Sequence, residues 1–372
     1  MSSLSTLNAA DRLHVKSIGL DEARAAVGDP RRDAMVRGFY RLVHREGARG
    51  FADLRGKIAA DRIDFLRDRF EIEGLEIADV RHSALDGTRK YLLRLRDGST
   101  VESVLIPNRD HATLCVSSQA GCALACRFCA TGRLGFRRDL ETWEIVDQLL
   151  IARRESGHPI TDIVFMGMGE PLLNYDRVMK AAELFNAADG ASVSYKKISI
   201  STAGVVPAIR RYAREGRKYR LVFSLSSADP EKRRKLMPIT EQWPLDEFVD
   251  SIREYAESQG GKKWMVLEYV AIRNVNMGDE DVDAIGDNVR GFKYLIDVIP
   301  YNSIGNELAS PSWDEVKAFT TRLRRLRVPV KVRYSGGKDM DSGCGQLGAE
   351  EWNRRRGGEA GPDVTGIDPA RP

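Results

Sequence analysis

The sequence predicts an α/β fold in which helices cover a parallel sheet. From Thr113 onward, short runs rich in apolar and β-branched residues alternate with segments of helical periodicity. About six strand–helix units follow one another, which suggests a barrel or a partial barrel. A doubly wound sheet would give the same alternation, so this pattern alone leaves both architectures open.

The chain before this region predicts helices. Residues 1 to about 30 carry little signal. Apolar residues at helical spacing predict a helix that starts near Met35 and breaks at Gly47 and Gly50, and a second helix over Arg55–Arg69. The arginines of this region are interleaved with Asp and Glu, which is typical of a solvated face. The region could serve only for packing, or it could contact RNA, and the sequence does not decide between the two.

A β-hairpin is predicted between the helical part and the alternating part. Two β-rich runs in Tyr91–Pro107 flank Asp97 and Gly98, a dipeptide that strongly favours a tight turn. We therefore predict an N-terminal accessory domain with this hairpin over residues 1–100 and the main domain over residues 101–348. The tail, residues 349–372, is rich in Gly, Pro, Arg and Asp and is predicted to be disordered.

Each predicted strand is a short apolar run. The strands are Leu114–Ser118, Ile163–Met166, Ile198–Ser201, Leu221–Leu225, Val266–Ile272, Leu295–Ile299 and Val328–Arg333. The helices between them are Trp143–Arg154, Tyr175–Ala188, Ala208–Glu215, Leu245–Gln259, Asp281–Val289 and Trp313–Leu326. The last helix opens with Ser312 and Glu315, a capping-box pair.

Composition places the chain among globular proteins. It is 42% hydrophobic and 30% charged, and its net charge of +4 permits a polyanionic partner without requiring one. No apolar run approaches the length of a membrane span, and the N-terminus does not resemble a signal peptide, so we expect no membrane association. Five cysteines, an odd number with metal-type spacing, indicate a reducing, cytoplasmic compartment.

Cys122, Cys126 and Cys129 have C-x3-C-x2-C spacing, which is typical of a metal centre. Thiolates are soft ligands, and three so close together can point at one centre. Structural zinc commonly takes two distant C-x2-C pairs, and the sequence has no second pair. Three thiolates fit a [4Fe–4S] cluster with one iron left open. The alternative is a chance group of buried cysteines.

This spacing, with an aromatic residue before the last cysteine, resembles the radical S-adenosylmethionine (SAM) superfamily. Three further stretches resemble the RlmN/Cfr family of RNA methyltransferases, namely Cys115–Cys122, Phe165–Leu172 and Asp341–Leu347. The resemblance implies an open (β/α)6 barrel, a [4Fe–4S] cluster and SAM. It also implies methylation of an adenine ring carbon, C2 or in Cfr-type members C8, in 23S ribosomal RNA at the peptidyl-transferase centre and for some members in tRNA.

The resemblance assigns several residues to SAM. Glu170, after Gly169, would bind the amino group of SAM. Further contacts are implied at the ends of later strands, for Ser201, Ser224, Leu225, Ser226 and Asn302. Taken alone, the glycine-rich segment fits a tight turn as well as a ligand site, and the other positions fit turns or caps. Ser226 stands where the family commonly has His. The resemblance therefore implies that Ser226 contacts SAM through its backbone and not through its side chain.

Two cysteines outside the cluster motif receive roles from the same resemblance. Cys344 would carry the methyl group on its sulfur, and Cys115 would release the product through a transient disulfide with Cys344. Glu102 aligns with the family's proton acceptor. From the residues alone, we would interpret the cysteines as buried thiols and Glu102 as an exposed strand residue. An electron donor such as flavodoxin is implied, and we expect a monomer.

Two other functions are open. A radical SAM enzyme with another substrate would keep the cluster motif and Glu170 but would have no need of both Cys115 and Cys344. A metal-stapled RNA-binding module without enzymatic activity would not need the long strand–helix series. The chain departs from the family pattern on the substrate side, at Asn302–Asn306 and in the run that begins at Tyr334.

Overall fold

The computed structural model describes residues 12–351, and the N-terminal part of this range forms a small helical unit. It contains α1 (Leu20–Val27), α2 (Asp33–His44), α3 (Ala60–Arg67) and the short parallel strands β1 (Leu13–His14) and β2 (Phe70–Glu71). Its apolar side chains form a core of their own. Helix α1 buries only Leu20 and Ala23, too few to mark a periodic face, which explains why its sequence carries little signal. Helix α3 is shorter than the predicted Arg55–Arg69.

A buried ion pair joins this helical unit to the rest of the chain. Lys16 Nζ lies 2.6 Å from Asp147 Oδ1, and both side chains are almost fully buried. Asp147 Oδ2 accepts a hydrogen bond of 2.7 Å from the backbone N–H of Leu75. Burial lowers the pKa of Lys16, and the charge of Asp147 opposes this effect. Both oxygens of a buried carboxylate are therefore bound by residues that precede the hairpin.

The predicted hairpin is confirmed and forms part of a larger antiparallel ribbon. Strands β3 (Glu76–His82), β4 (Arg89–Arg94) and β5 (Thr100–Pro107) pair in order, and β5 pairs with β6 (Ala112–Cys115). The turn at Asp97-Gly98 uses the left-handed region, with φ of 81° at Gly98. Strand β3 is an addition to the prediction. Its burial pattern is mostly exposed or intermediate, so its sequence lacks a clear apolar face.

A second small hairpin follows β6. It consists of β7 (Gln119–Gly121) and β8 (Phe136–Asp139), with the one-turn helix α4 (Ala130–Arg133) between them. The three closely spaced cysteines lie in the segment between β7 and α4.

The main sheet continues from β6 through six more parallel strands. These are β9 (Ile160–Phe165), β10 (Ile198–Thr202), β11 (Arg220–Ser224), β12 (Met265–Ala271), β13 (Tyr294–Pro300) and β14 (Val330–Val332). The connecting helices are α5 (Thr142–Glu155), α6 (Tyr175–Asn186), α7 (Val206–Arg214), α8 (Pro230–Leu236), α9 (Ile239–Gln242), α10 (Leu245–Ser258), α11 (Asp279–Asn288) and α12 (Trp313–Leu323). The predicted capping box of Ser312 and Glu315 is present at the start of α12.

The strand order decides between the two architectures that the sequence leaves open. The ten strands lie side by side in the order β3, β4, β5, β6, β9, β10, β11, β12, β13 and β14. This is also their order along the chain. A doubly wound sheet would reverse its order at a switch point. Within residues 12–351, β3 and β14 are the two edges of the ten-stranded sheet, so the barrel is open. The predicted partial barrel with a helical N-terminal unit is therefore confirmed.

Two further expectations concern the ends of the chain and the membrane. The predicted tail lies outside the described residues, apart from residues 349–351, which are helical. Among the helices of residues 12–351, none combines the length and the apolar character that crossing a bilayer requires. The division of the chain at residues 100 and 348 stays a prediction, although β3 to β5 share the core of the barrel rather than that of the helical unit.

Candidate active site

A cavity opens at the carboxyl ends of the parallel strands, where ligands bind in folds of this kind. It holds about 910 Å³ of space, part of it open to solvent. We call it the cluster cavity, because its lining includes Cys122, Cys126 and Cys129, together with Gly169, Glu170, Ser201, Ser224, Glu268 and Cys344.

The cysteine segment crosses one wall of the cluster cavity. The backbone N–H of Cys122 donates to the carbonyl of Gly135, and that of Cys129 donates to the carbonyl of Cys126 at 3.0 Å. Ala125 has a φ of 49°, a left-handed conformation that turns the chain between the first two thiols. Burial raises the pKa of Cys122 and Cys126, so their thiolates need a positive centre beside them. An iron centre would supply it.

Glu170 lies on the same cavity, after β9. Its Oε2 accepts a hydrogen bond from the backbone N–H of Ala203 at 2.8 Å, and its Oε1 accepts one from Leu172 at 3.0 Å. Burial raises its pKa to about 7, although these hydrogen bonds oppose the shift. Each carboxylate oxygen keeps a second lone pair for a ligand donor. At Gly169, φ is 98° and a Cβ would lie 2.5 Å from Cβ of Gln119, so glycine is required there.

Glu268, in the middle of β12, joins two of the predicted SAM contacts. Ser201 Oγ donates to Glu268 Oε2 at 2.7 Å, and Ser224 Oγ lies 3.4 Å from the same oxygen. Glu268 Oε1 is buried and has no hydrogen-bond partner among residues 12–351. Burial raises the pKa of Glu268. A buried acceptor without a partner is expected to bind a donor from a ligand.

A second cavity lies beside the first, and we call it the thiol cavity. Cys115, at the end of β6, and Cys344 both line it, as do Glu268, Arg333 and Tyr334. Cys344 and Glu268 line both cavities. All five cysteines are free thiols, so the transient disulfide is not formed in this state. Cys344 is exposed and Cys115 is half-buried. Desolvation raises the pKa of both thiols, and the carboxylate of Glu268 adds to the effect.

The loop that carries Cys344, residues 335–348, is hydrogen-bonded to the cysteine segment. The backbone N–H of Ala130 donates to the carbonyl of Gly345 at 2.7 Å, and Thr131 Oγ1 donates to the carbonyl of Leu347 at 2.7 Å. A Cβ at Gly345, where φ is 85°, would lie 2.8 Å from the carbonyl oxygen of Phe128. The close approach of the two loops thus requires a glycine next to Cys344.

Comparison with known proteins identifies the family. Residues 116–285 match the model of the radical SAM superfamily. The chain is 42% identical over 360 residues to a probable RNA methyltransferase of Myxococcus xanthus, covering 95% of this chain and 100% of the relative. It is 38% identical over 334 residues to the dual-specificity RNA methyltransferase RlmN of Syntrophobacter fumaroxidans, covering 89% and 96%. The chain belongs to the RlmN family of radical SAM methyltransferases.

A solved structure supports this placement. The crystal structure of a radical SAM methyltransferase from Sphaerobacter thermophilus superimposes with a TM-score of 0.84 at 32% identity, and the match covers 91% of this chain and 99% of that chain. The protein is therefore an enzyme, a methyltransferase of the radical SAM fold. Its cofactors are a [4Fe–4S] cluster and SAM, as the superfamily match implies.

The cluster cavity fits these cofactors. No group of three His, Cys, Asp or Glu side chains within residues 12–351 is arranged to hold a single metal ion. This is expected when each thiolate binds a different iron of a larger cluster. The three thiols nevertheless line one cavity, and Glu170 and Glu268 offer acceptors in the same space. The roles of individual residues stay predictions.

In this RlmN-family enzyme, three of the predicted SAM contacts lie away from the lining of the cluster cavity. Leu225 and Ser226 are buried, and both donate their backbone N–H to the carbonyl of Glu268. Ser226 has a φ of 52°. The side-chain amide of Asn302 donates to the carbonyl of Cys344 at 3.1 Å and to Ser335 Oγ at 2.9 Å. Asn302 therefore holds the Cys344 loop in this state.

Glu102 and Glu268 differ in whether they line the two cavities. Glu102, the predicted proton acceptor, is buried in β5 and its Oε2 accepts a hydrogen bond of 3.1 Å from the backbone N–H of Gly348. It lines neither of the two cavities. Glu268 lines both, and it was absent from the sequence prediction. The available signal was a lone acidic residue in the middle of the apolar strand β12.

Proposed function

We propose that this enzyme methylates carbon C2 of an adenine in 23S ribosomal RNA, and in tRNA, through a methyl group carried on Cys344. The observation that supports it is the placement of Cys115 and Cys344 on one thiol cavity, with Cys344 also lining the cluster cavity. The names of the relatives, among them a dual-specificity RNA methyltransferase RlmN, support RNA as the substrate. C2 is chosen over C8 because the relatives carry the RlmN name.

The chemistry explains why a radical cofactor is needed. Carbon C2 of adenine is not nucleophilic, so it cannot displace a methyl group from SAM directly. When bound, the cluster and SAM supply the methyl group and the 5′-deoxyadenosyl radical that removes one of its hydrogen atoms. Ser201, Ser224, Glu170 and Glu268 line the space that SAM would fill, and we propose that they bind its polar groups.

Cys344 then holds the carbon that is transferred. Its sulfur carries the methylene group that forms a bond to C2, so enzyme and RNA become linked through a thioether. The adduct has one unpaired electron, and the cluster, which is oxidised when it cleaves SAM, would take that electron back. The ring proton leaves to a carboxylate, for which we propose Glu102 as the resemblance implies. Glu268 is the alternative, since it lines the thiol cavity. Wild-type turnover by Glu102→Gln, together with a Glu268→Gln variant that is inactive although it still binds SAM, would transfer the role to Glu268.

Cys115 completes the cycle in this proposal. Its thiolate attacks the sulfur of Cys344, an S–S bond forms, and the bond between that sulfur and the methylene carbon breaks. The electron pair of the broken bond stays on the carbon, which takes a proton and becomes the methyl group of the product. The disulfide then takes two electrons and two protons from an external reductant. We propose a monomer in the cytoplasm, with flavodoxin as the electron donor of the cluster.

The experiment that tests the proposal is a nucleoside analysis. The enzyme is purified without oxygen, its cluster is reduced, and it is incubated with SAM and a 23S rRNA fragment that spans the peptidyl-transferase centre. Mass spectrometry of the digested RNA should find 2-methyladenosine. Finding 8-methyladenosine instead would contradict the position, and finding no methylated adenosine in this fragment or in tRNA would contradict the substrate.

A further inference from the structure

Two exposed aromatic side chains form a pair at the mouth of the thiol cavity. Trp313 and Tyr334 are 44% and 65% exposed, and their ring centroids lie 5.4 Å apart with an interplanar angle of 43°. Trp313 begins α12, which follows β13, and Tyr334 follows β14, so both lie at the carboxyl end of the barrel. Tyr334 also lines the thiol cavity with Cys115 and Cys344.

Such a pair is unusual because exposed rings leave apolar surface in water. Among residues 12–351, the other exposed large aromatic side chains are Tyr195 and Trp264. These precede β10 and β12, at the opposite end of the barrel from the cavities. The end of the barrel with the reactive cysteines therefore has a pair of touching rings, and the other end has separate ones. Clustered exposed apolar surface commonly marks a binding site.

Basic groups accompany the pair. Lys317 Nζ lies 5.7 Å from the centroid of the Trp313 ring, and it has only a distant ionic contact, 3.9 Å, with Asp314. Arg333, next to Tyr334, binds Asp297 through Nε and Nη2 and lines the thiol cavity. A guanidinium has five donors, so others remain for an anionic partner. Aromatic rings with adjacent cations match the chemistry of single-stranded nucleic acid.

We propose that Trp313 and Tyr334 stack on the base that flanks the target adenine in the RNA. This inference rests on the proposed function and adds to it a residue-level site for the substrate. A base inside a recessed cavity must leave the stack of its strand, and its neighbour then loses a stacking partner. Aromatic side chains at the cavity mouth replace that partner, as they do for unstacked bases in RNA recognition.

The test measures KM for the 23S rRNA fragment in the methylation assay. Tyr334→Ala and Trp313→Ala should each raise KM about tenfold, since base–aromatic stacking contributes about 1–3 kcal/mol per base. Tyr334→Phe should keep KM within about twofold, because the ring is retained. Trp264→Ala and Tyr195→Ala are controls of the same residue types, 47% and 38% exposed, and both should keep the wild-type KM.

An abasic nucleotide beside the target adenine separates stacking from other effects. With wild-type enzyme, removal of the correct flanking base should raise KM by the same factor as Tyr334→Ala. With Tyr334→Ala enzyme, the same removal should raise KM no further, because the stacked partner is already lost. The thermal unfolding temperature should be unchanged in all variants.

Two outcomes overturn the inference, and they differ from failure of the proposed function. Wild-type KM values for both Tyr334→Ala and Trp313→Ala would exclude the stacking role. The role would also be excluded if the increases in KM caused by Tyr334→Ala and by the abasic nucleotide were additive, whichever of the two flanking bases is removed. A wild-type enzyme that methylates no RNA would contradict the proposed function itself. The proposed RNA contact of Trp313 and Tyr334 would then also be excluded.

Discussion

The two cysteine-bearing loops meet at one cavity but are built differently. The segment Cys122–Cys129 lies between β7 and α4, and Cys122 and Leu124 belong to the barrel core. In the loop around Cys344, Met340 and Leu347 are buried, but Cys344 itself is exposed. Asn302 donates a hydrogen bond to the carbonyl of Cys344, and Ser335 Oγ accepts one from its backbone N–H. This difference matches the proposed roles, in which the first loop holds a buried cluster and the second presents its thiol to the substrate.

The largest expected effect concerns the fixed loop. Cys126→Ala should abolish the iron–sulfur absorbance and methylation together, because each thiolate is predicted to hold one iron. Absorbance spectra and iron and sulfide analysis of protein purified without oxygen measure the first effect. Cys115→Ala is the control and should keep the cluster. A full [4Fe–4S] spectrum for Cys126→Ala would remove this residue from the ligand set.

The second prediction separates the two thiols of the thiol cavity. Cys344→Ala should give neither product nor adduct, because the carrier is missing. Cys115→Ala should stall as a covalent protein–RNA species, because no second thiolate can release the RNA. A denaturing gel of protein expressed in cells, run with and without ribonuclease, should contain a nuclease-sensitive band only for Cys115→Ala. Wild-type turnover by Cys344→Ala would contradict the mechanism.

The third prediction concerns the carboxylates between the loops. Glu268→Ala and Glu170→Ala should each weaken SAM binding about tenfold or more with the cluster intact, because hydrogen bonds to charged groups contribute about 1.5–3 kcal/mol. Binding is measured by equilibrium dialysis with labelled SAM. Asp281→Ala removes a buried carboxylate of α11 that lies outside both cavities and should leave SAM affinity unchanged. Unchanged affinity in both test variants would place SAM elsewhere.

The smallest effect tests the contact between the two loops. Thr131→Val removes the hydrogen bond to Leu347 without a change of shape, and it should lower stability by about 0.5–1.5 kcal/mol. Methylation should slow several-fold, because the Cys344 loop is less well held. Ser251→Ala removes a similar buried bond, to Phe248 at 2.7 Å in α10, and should lower stability alone. Equal rates for the two variants would show that the contact between the loops does not matter for turnover.

The sequence predicts those features of the fold and the site that depend on residues close to one another in the chain. The cysteine spacing, the turn at Gly98 and the cap at Ser312 are local, and the parallel strands are short apolar runs. Helix α8 could also have been found, since Asp229 caps it and Pro230 begins it. What could not be predicted is register. Glu268 faces Ser224 only because β11 and β12 pair at that position, and this pairing is a property of the folded sheet.

The ion pair of Lys16 and Asp147 bears on whether the barrel can exist by itself. In the full chain, replacement of Lys16 by an uncharged residue would leave the carboxylate of Asp147 buried on α5 without its counter-charge. Removal of one partner from a buried pair costs about 3–5 kcal/mol, and whole domains are stable by only about 5–15 kcal/mol. The N-terminal unit therefore contributes directly to the stability of the barrel. A chain shortened to the barrel would lose this contribution and would expose this part of α5 to water.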